Sequence, residues 1–241
     1  MFTVALIGAD GAGKTTIARM LLESSPIKMK YLYMNDSMPS SNIALPTARM
    51  AEYLKQVARQ RASKNKKLVK FQAEPAPNAS IRSTKRWDVF SLVRLLNRMA
   101  DEYFRQIISW IYLLRGYIVL YDRHFIFEIA HKIDDRPHHW PVADRIHYWF
   151  LNNLYPKPNL VIFLDAPPEV LFSRKNEWPL EYLQKWSDIY LEHGKTYANF
   201  IRVDAAQPLD KVHEEVAYQV MQFYEANYFQ ISSSKGRRTQ T

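Results

Sequence analysis

Residues 8–15 read Gly-Ala-Asp-Gly-Ala-Gly-Lys-Thr, a complete G-x-x-x-x-G-K-[ST] loop, and Thr16 continues it. The loop follows directly on Phe2-Thr-Val-Ala-Leu-Ile7, an apolar run that reads as a buried β-strand. Strand, glycine loop and helix in immediate succession leave a chain few folding options. The glycines let backbone N–H groups converge on a phosphate, and the helix beginning near Gly13 aims its positive end at the same point. In such a loop the lysine, here Lys14, reaches the β/γ-phosphates, and the hydroxyl of Thr15 ligands Mg²⁺. Gly8, Ala9, Asp10, Gly11, Ala12, Gly13, Lys14, Thr15 and Thr16 are therefore the candidate nucleotide-binding residues, and ATP with Mg²⁺ is the expected cofactor pair.

Five short apolar runs punctuate helical stretches, the alternation expected of a parallel sheet covered by helices on both faces. They are 2–7, 30–34, 117–121, 160–164 and 200–203. Helices are expected at 13–23, 46–61, 88–114, 142–154, 168–175, 180–197 and 209–228. The expected fold is an α/β P-loop NTPase with a five-stranded parallel sheet flanked by helices, a lid and an acceptor-side insertion. A single domain should span residues 1–230, with a disordered tail over 231–241.

Composition narrows the class. The chain has 241 residues, 47% of them hydrophobic, enough for one full-sized α/β domain. It has no cysteine, which excludes disulfides and thiolate metal sites. The longest apolar run, Ile107–Leu114, is far short of the ~20 residues of a membrane span and is bounded by Arg105 and Arg115. No signal peptide is read at the N-terminus, so the expectation is a soluble, cytoplasmic protein. The net charge of +9 is concentrated: residues 55–86 hold ten Lys or Arg against one acid, Glu74, leaving 23 basic and 23 acidic residues elsewhere. That basic insertion reads either as a solvated, disordered linker or as a patch for nucleic acid or an anionic surface.

The helix expected from about Asp88 to Leu114 is amphipathic. Leu92, Leu96, Met99, Tyr103, Ile107, Trp110 and Leu114 recur at spacings of three and four and read as its core face. Opposite them, Arg94, Arg98 and Arg105 fall within about 40° of one another, with Asp101 among them. That row is either a solvated face laced by charge or a guanidinium row aimed at an anionic acceptor.

A phosphate loop alone does not choose among switches, motors and kinases. The Asn-Lys-x-Asp guanine signature is missing, since Asn65-Lys-Lys-Leu68 lacks the acid. What the chain has instead is Tyr117-Ile-Val-Leu-Tyr-Asp-Arg123, a strand ending in an acid and then a cation. An acid at that strand tip is placed to hold Mg²⁺, and Arg123 would point into the same crevice to grip a second phosphate. Metal acid plus acceptor cation describes phosphoryl transfer. His138 and His139 are adjacent and read as no zinc site, and Glu177 reads as a salt-bridge partner.

At these residues the chain resembles the thymidylate kinase group of P-loop nucleotide kinases, most of all a bacterial thymidylate-kinase-like subgroup. The likeness rests on Gly8–Thr16, on Gly116 through Asp122-Arg123 with His124 in place of a tyrosine, on Pro158–Val170 followed by Ser173-Arg-Lys-Asn-Glu177, and on Val203–Pro208. The resemblance implies transfer of a phosphoryl group from ATP to a nucleoside monophosphate, with dTMP the default. It implies that Lys14, Arg123 and Arg174 stabilise the migrating group while Thr15 and Asp122 serve Mg²⁺. Asp10 would touch the acceptor sugar, Arg94, Arg98 or Arg105 the acceptor, and the long helix would support a homodimer. The acceptor side departs from the family pattern: Met34-Asn-Asp-Ser-Met-Pro39 stands where an Arg-Glu-Pro-Gly-Gly loop is expected, and Glu102 where the helix arginine is expected. Two other readings stay open: a kinase of another small phosphorylated or hydroxylated acceptor, or an ATP-dependent binding protein using the basic segment.

Overall fold

The computed structural model describes residues 1–35, 89–134 and 142–236. Five strands, β1 (Thr3–Ile7), β2 (Met29–Tyr33), β3 (Ile118–Asp122), β4 (Leu160–Asp165) and β5 (Phe200–Asp204), form one sheet in the order β2-β3-β1-β4-β5. Every pairing is parallel, with Ala5 opposite Tyr121 on one side of β1 and Val161 on the other. The helices are α1 (Lys14–Ser24), α2 (Val89–Leu114), α3 (Phe125–Asp134), α4 (Val142–Asn153), α5 (Pro168–Arg174), α6 (Leu180–Gly194) and α7 (Leu209–Gly236).

Strand alternation splits the core in two. Val4 and Leu6 face Ile17, Leu21 and Val216 on the side of α1 and α7, whereas Ala5 and Ile7 face Phe125, Phe150 and Tyr190 on the other. All five residues of β1 and of β3 are buried, as a strand covered on both faces must be. β1 is the point where the connections diverge, β2 and β3 lying to one side and β4 and β5 to the other, and the crevice beyond its carboxyl end is where such sheets bind ligands.

The fold agrees with the expected α/β sheet, with three corrections. First, α3 was not foreseen: no helix was expected between 121 and 142, yet Phe125, Ile126 and Ile129 bury one helical face. Second, α7 continues to Gly236, past the helix end expected at 228. Third, the facing of α2 is not the one its periodicity indicates. Leu96, Trp110 and Leu114 are 55%, 42% and 88% exposed, and Leu92 and Ile107 are exposed with them. The buried line is Leu95, Glu102, Arg105, Gln106 and Ser109, with Asp101 beside it; Met99 and Tyr103 are half-buried at its flank. The reason is that most of the inward polar side chains find partners. Ser109 Oγ lies 2.6 Å from the Tyr121 hydroxyl, and Glu102 accepts from His147 Nε2 at 2.8 Å. A paired buried polar group carries little penalty, so the hydrophobic stripe need not face inward. The helix expected at 46–61 and the basic insertion at 55–86 lie outside the described residues.

Candidate active site

The glycine loop runs from the end of β1 into α1. Gly11 (φ +90°) and Gly13 (φ +86°) adopt left-handed backbone that a side chain would disfavour. No side chain caps α1, so the first N–H groups of the helix are left to the cleft that Gly13, Thr15 and Thr16 line. Lys14 is 5% exposed, and its Nζ donates to the carbonyls of Gly8 and Ala9, each at 2.8 Å. Burial, with the nearby Arg123 charge, pushes its pKa down to about 8, so the ammonium gains from any anion brought to it.

β3 delivers the second half of the site. The Thr15 hydroxyl donates to Asp122 Oδ2 at 2.6 Å, and Tyr31 on β2 donates to the same oxygen at 2.9 Å. Burial first, and then the Asp122 charge, hold the Tyr31 phenol far above its ordinary pKa, so it stays a donor. The other oxygen, Asp122 Oδ1, is buried with no hydrogen-bond partner among the described residues. An orphaned carboxylate oxygen beside a hydroxyl suits a hard divalent cation that takes one or two protein ligands and completes its shell with water and phosphate oxygens. Thr15 and Asp122 therefore fit Mg²⁺. Among the described residues no larger cluster of acidic or histidine ligands occurs, and His138 and His139 lie outside them.

Arg123 follows in left-handed backbone, φ +70°, a conformation that costs a non-glycine residue energy and marks a position held by its surroundings. Its Nη1 donates to Glu128 Oε1 at 3.0 Å and its Nη2 to Asp10 Oδ1. Burial opposes the charge on Arg123, but Glu128 and Asp10 outweigh it and raise its pKa. Burial likewise pushes Asp10 up, and Arg123 and Lys14 prevail to hold its carboxyl below the usual range.

One open cleft of about 750 Å³ is lined by Asp10, Lys14, Thr15, Thr16, Arg123 and Arg174, with Arg19, Tyr31, Tyr33 and Lys175. Arg174, at the end of α5, donates to the Ala205 carbonyl at 2.8 Å. A smaller cavity of about 320 Å³ adjoins the loop between Arg174, Ala205 and Gln207. Glu177 pairs with Lys175 at 3.0 Å on the surface.

The three α2 arginines do not form one row aimed at this cleft. Arg94 is exposed, and Arg98 lies 3.4 Å from Glu102. Arg105 is buried, bound to Asp101 at 2.5 Å and donating to the carbonyls of Tyr33 and Asn35 at the end of β2. It braces the carboxyl end of β2. Sequence reasoning missed Tyr31, Tyr33, Arg19, Lys175 and Glu128. The alternation of Tyr31 and Tyr33 along β2 was a readable sign of one shared face, whereas Glu128 belonged to a helix not foreseen.

No family model matches the chain. Over 226 residues, 88% of this chain and 93% of the relative, it is 27% identical to a probable thymidylate kinase 1 of Saccharolobus solfataricus. It is 30% identical over 115 residues to a probable thymidylate kinase of Archaeoglobus fulgidus, and 26% identical over 113 residues to a thymidylate kinase of Thermosipho africanus. Those two matches each span 55% of the relative and under half of this chain. The first two relatives are archaeal, and what the three matches together support is a thymidylate kinase-like family in the broad sense. Sequence and structure thus agree on an α/β P-loop chain, similar along most of its length to a thymidylate kinase.

Proposed function

We propose that the protein is a nucleoside monophosphate kinase-like phosphotransferase that moves the γ-phosphoryl group of ATP to a phosphorylated acceptor, dTMP being the first candidate. The observation that supports this most is that Lys14, Thr15 and Arg123 line one cleft, with Asp122 bound to Thr15 behind it. The relatives named thymidylate kinase favour the same reading. Thr15 and Asp122 would hold Mg²⁺, which would supply electrostatic stabilisation of the phosphate charge.

The chain's own groups supply the rest. Lys14 exchanges two loop carbonyls for phosphate oxygens, and Arg174 closes from the lid side. Arg123 grips the acceptor phosphate, and Asp10 meets an acceptor hydroxyl. One P–O bond to the ADP leaving oxygen breaks as one to the acceptor oxygen forms, and positioning with electrostatics accounts for most of the rate. The adenine ring has room in the cavity between Arg174 and Gln207.

A second reading within the same chemistry, another small phosphorylated or hydroxylated acceptor, is favoured by the two carboxylates that flank Arg123. A homodimer through the exposed apolar face of α2 would cover Leu96, Trp110 and Leu114; the mass in solution checks it. Among the described residues no helix is long and apolar enough to cross a membrane.

The test is ADP release from Mg-ATP across a panel of nucleoside monophosphates, with Lys14→Ala as control. Turnover that depends on the acceptor and disappears in the variant upholds the reading. ATP binding without turnover on any monophosphate sinks it.

A further inference from the structure

The guanidinium of Arg123 is shared between two carboxylates of different kinds. Asp10 sits on the glycine loop and lines the cleft, whereas Glu128, set back on α3, is not part of that lining. All three side chains are 15–18% exposed. The fully buried Tyr190 of α6 lies within electrostatic reach of all of them. Glu128 stands in the first turn of α3, where the helix dipole favours a negative charge. The backbone of Arg123 is held as well, its N–H donating to the Leu6 carbonyl at 3.0 Å.

A phosphate arriving in the cleft meets Arg123 already engaged at both terminal nitrogens. Each terminal nitrogen keeps a second N–H, but bidentate capture from the cleft side competes with the carboxylate that holds that side of the guanidinium. That carboxylate is Asp10, which faces the cleft and can turn to an incoming hydroxyl. Glu128 does not line the cleft.

We propose that Glu128 is the positioning residue for Arg123: a fixed carboxylate that anchors Nη1 and, by sharing the charge, weakens the Asp10 pairing enough for an acceptor phosphate to replace it. The inference rests on reading Arg123 as the acceptor-side cation. With Glu128 neutral, the guanidinium collapses onto Asp10 and the acceptor subsite stays shut, while the donor side, built on Lys14 and α1, is unaffected.

The experiment compares wild type, Glu128→Gln and Glu128→Asp in steady-state kinetics with dTMP and ATP, and by calorimetric titration of dTMP. Loss of one charge-assisted hydrogen bond should raise the acceptor KM and Kd about tenfold in Glu128→Gln, with the ATP KM moving less than about twofold. Glu128→Asp, which keeps the charge, should recover part of the acceptor affinity, and it serves as the main comparison if Glu128→Gln does not fold. ATP and acceptor KM rising together, or unchanged acceptor binding, would overturn the proposal. If no nucleoside monophosphate binds even to wild type, the acceptor reading fails separately. Glu128 is then decided by titrating inorganic phosphate into protein filled with Mg²⁺ and a non-hydrolysable ATP analogue. Weaker phosphate binding by Glu128→Gln upholds the inference, and equal binding overturns it.

Discussion

Replacing Asp101 with Leu removes the carboxylate that accepts from Arg105 Nη2 at 2.5 Å, where both side chains are almost wholly buried. Breaking a buried pair by deleting one partner costs about 3–5 kcal/mol, because the remaining charge is left uncompensated. Arg105 keeps the carbonyls of Tyr33 and Asn35 and stacks against Phe125 with 5.4 Å from its guanidinium carbon to the ring centre, so the lower end applies. About 3 kcal/mol corresponds to a fall in Tm of roughly 6–12 °C for a domain of this size. The double variant Asp101→Leu/Arg105→Met replaces the pair with apolar volume and should return to within about 1 kcal/mol of wild type. Urea and thermal unfolding of the two singles and the double measure this cycle. Stability and function should separate in the double variant. The carbonyls at the end of β2 lose their brace, so the acceptor KM should stay raised although the Tm recovers. A loss under about 1 kcal/mol in Asp101→Leu, or a double variant as unstable as the sum of the singles, would refute the argument that paired polar groups turned this face of α2 inward.

His124 is fully buried between the rings of Tyr121 and Tyr155, and burial, outweighing contact with the Pro156 backbone, pushes its pKa down to about 3. The unfolded chain, titrating near 6.5, binds the extra proton first as pH falls, so stability is intact above that value and declines toward pH 3. At pH 5 the loss from this residue is about 2 kcal/mol, and His124→Phe should remove that part of the acid limb in urea unfolding at pH 7 and pH 5. At Gly11 an added Cβ would lie 2.7 Å from the Leu171 carbonyl at φ +90°. Gly11→Ala should therefore cost at least about 1–3 kcal/mol and raise the ATP KM by shifting the loop against α5, read from thermal unfolding and steady-state kinetics.

The phosphate loop, the Asp-Arg strand tip and the five strands were legible in the sequence because each depends on residues close together in the chain. Gly8–Thr16 is a contiguous backbone conformation, and Asp122-Arg123 takes its place from the end of one apolar run. The expected strand at 117–121 differs from the observed Ile118–Asp122 only at its ends. Composition likewise placed the surplus positive charge in residues 55–86 without any structure. Tertiary structure alone decided which side of α2 faces inward. Periodicity reports the direction of the apolar stripe, but the buried line follows partners supplied from far along the chain: His147 for Glu102, Tyr121 for Ser109, and the Tyr33 and Asn35 carbonyls for Arg105. The same holds for Tyr31 on Asp122 and Glu128 on Arg123. A polar side chain's worth depends on whether a complementary group meets it after folding, and one segment of sequence carries no record of that meeting.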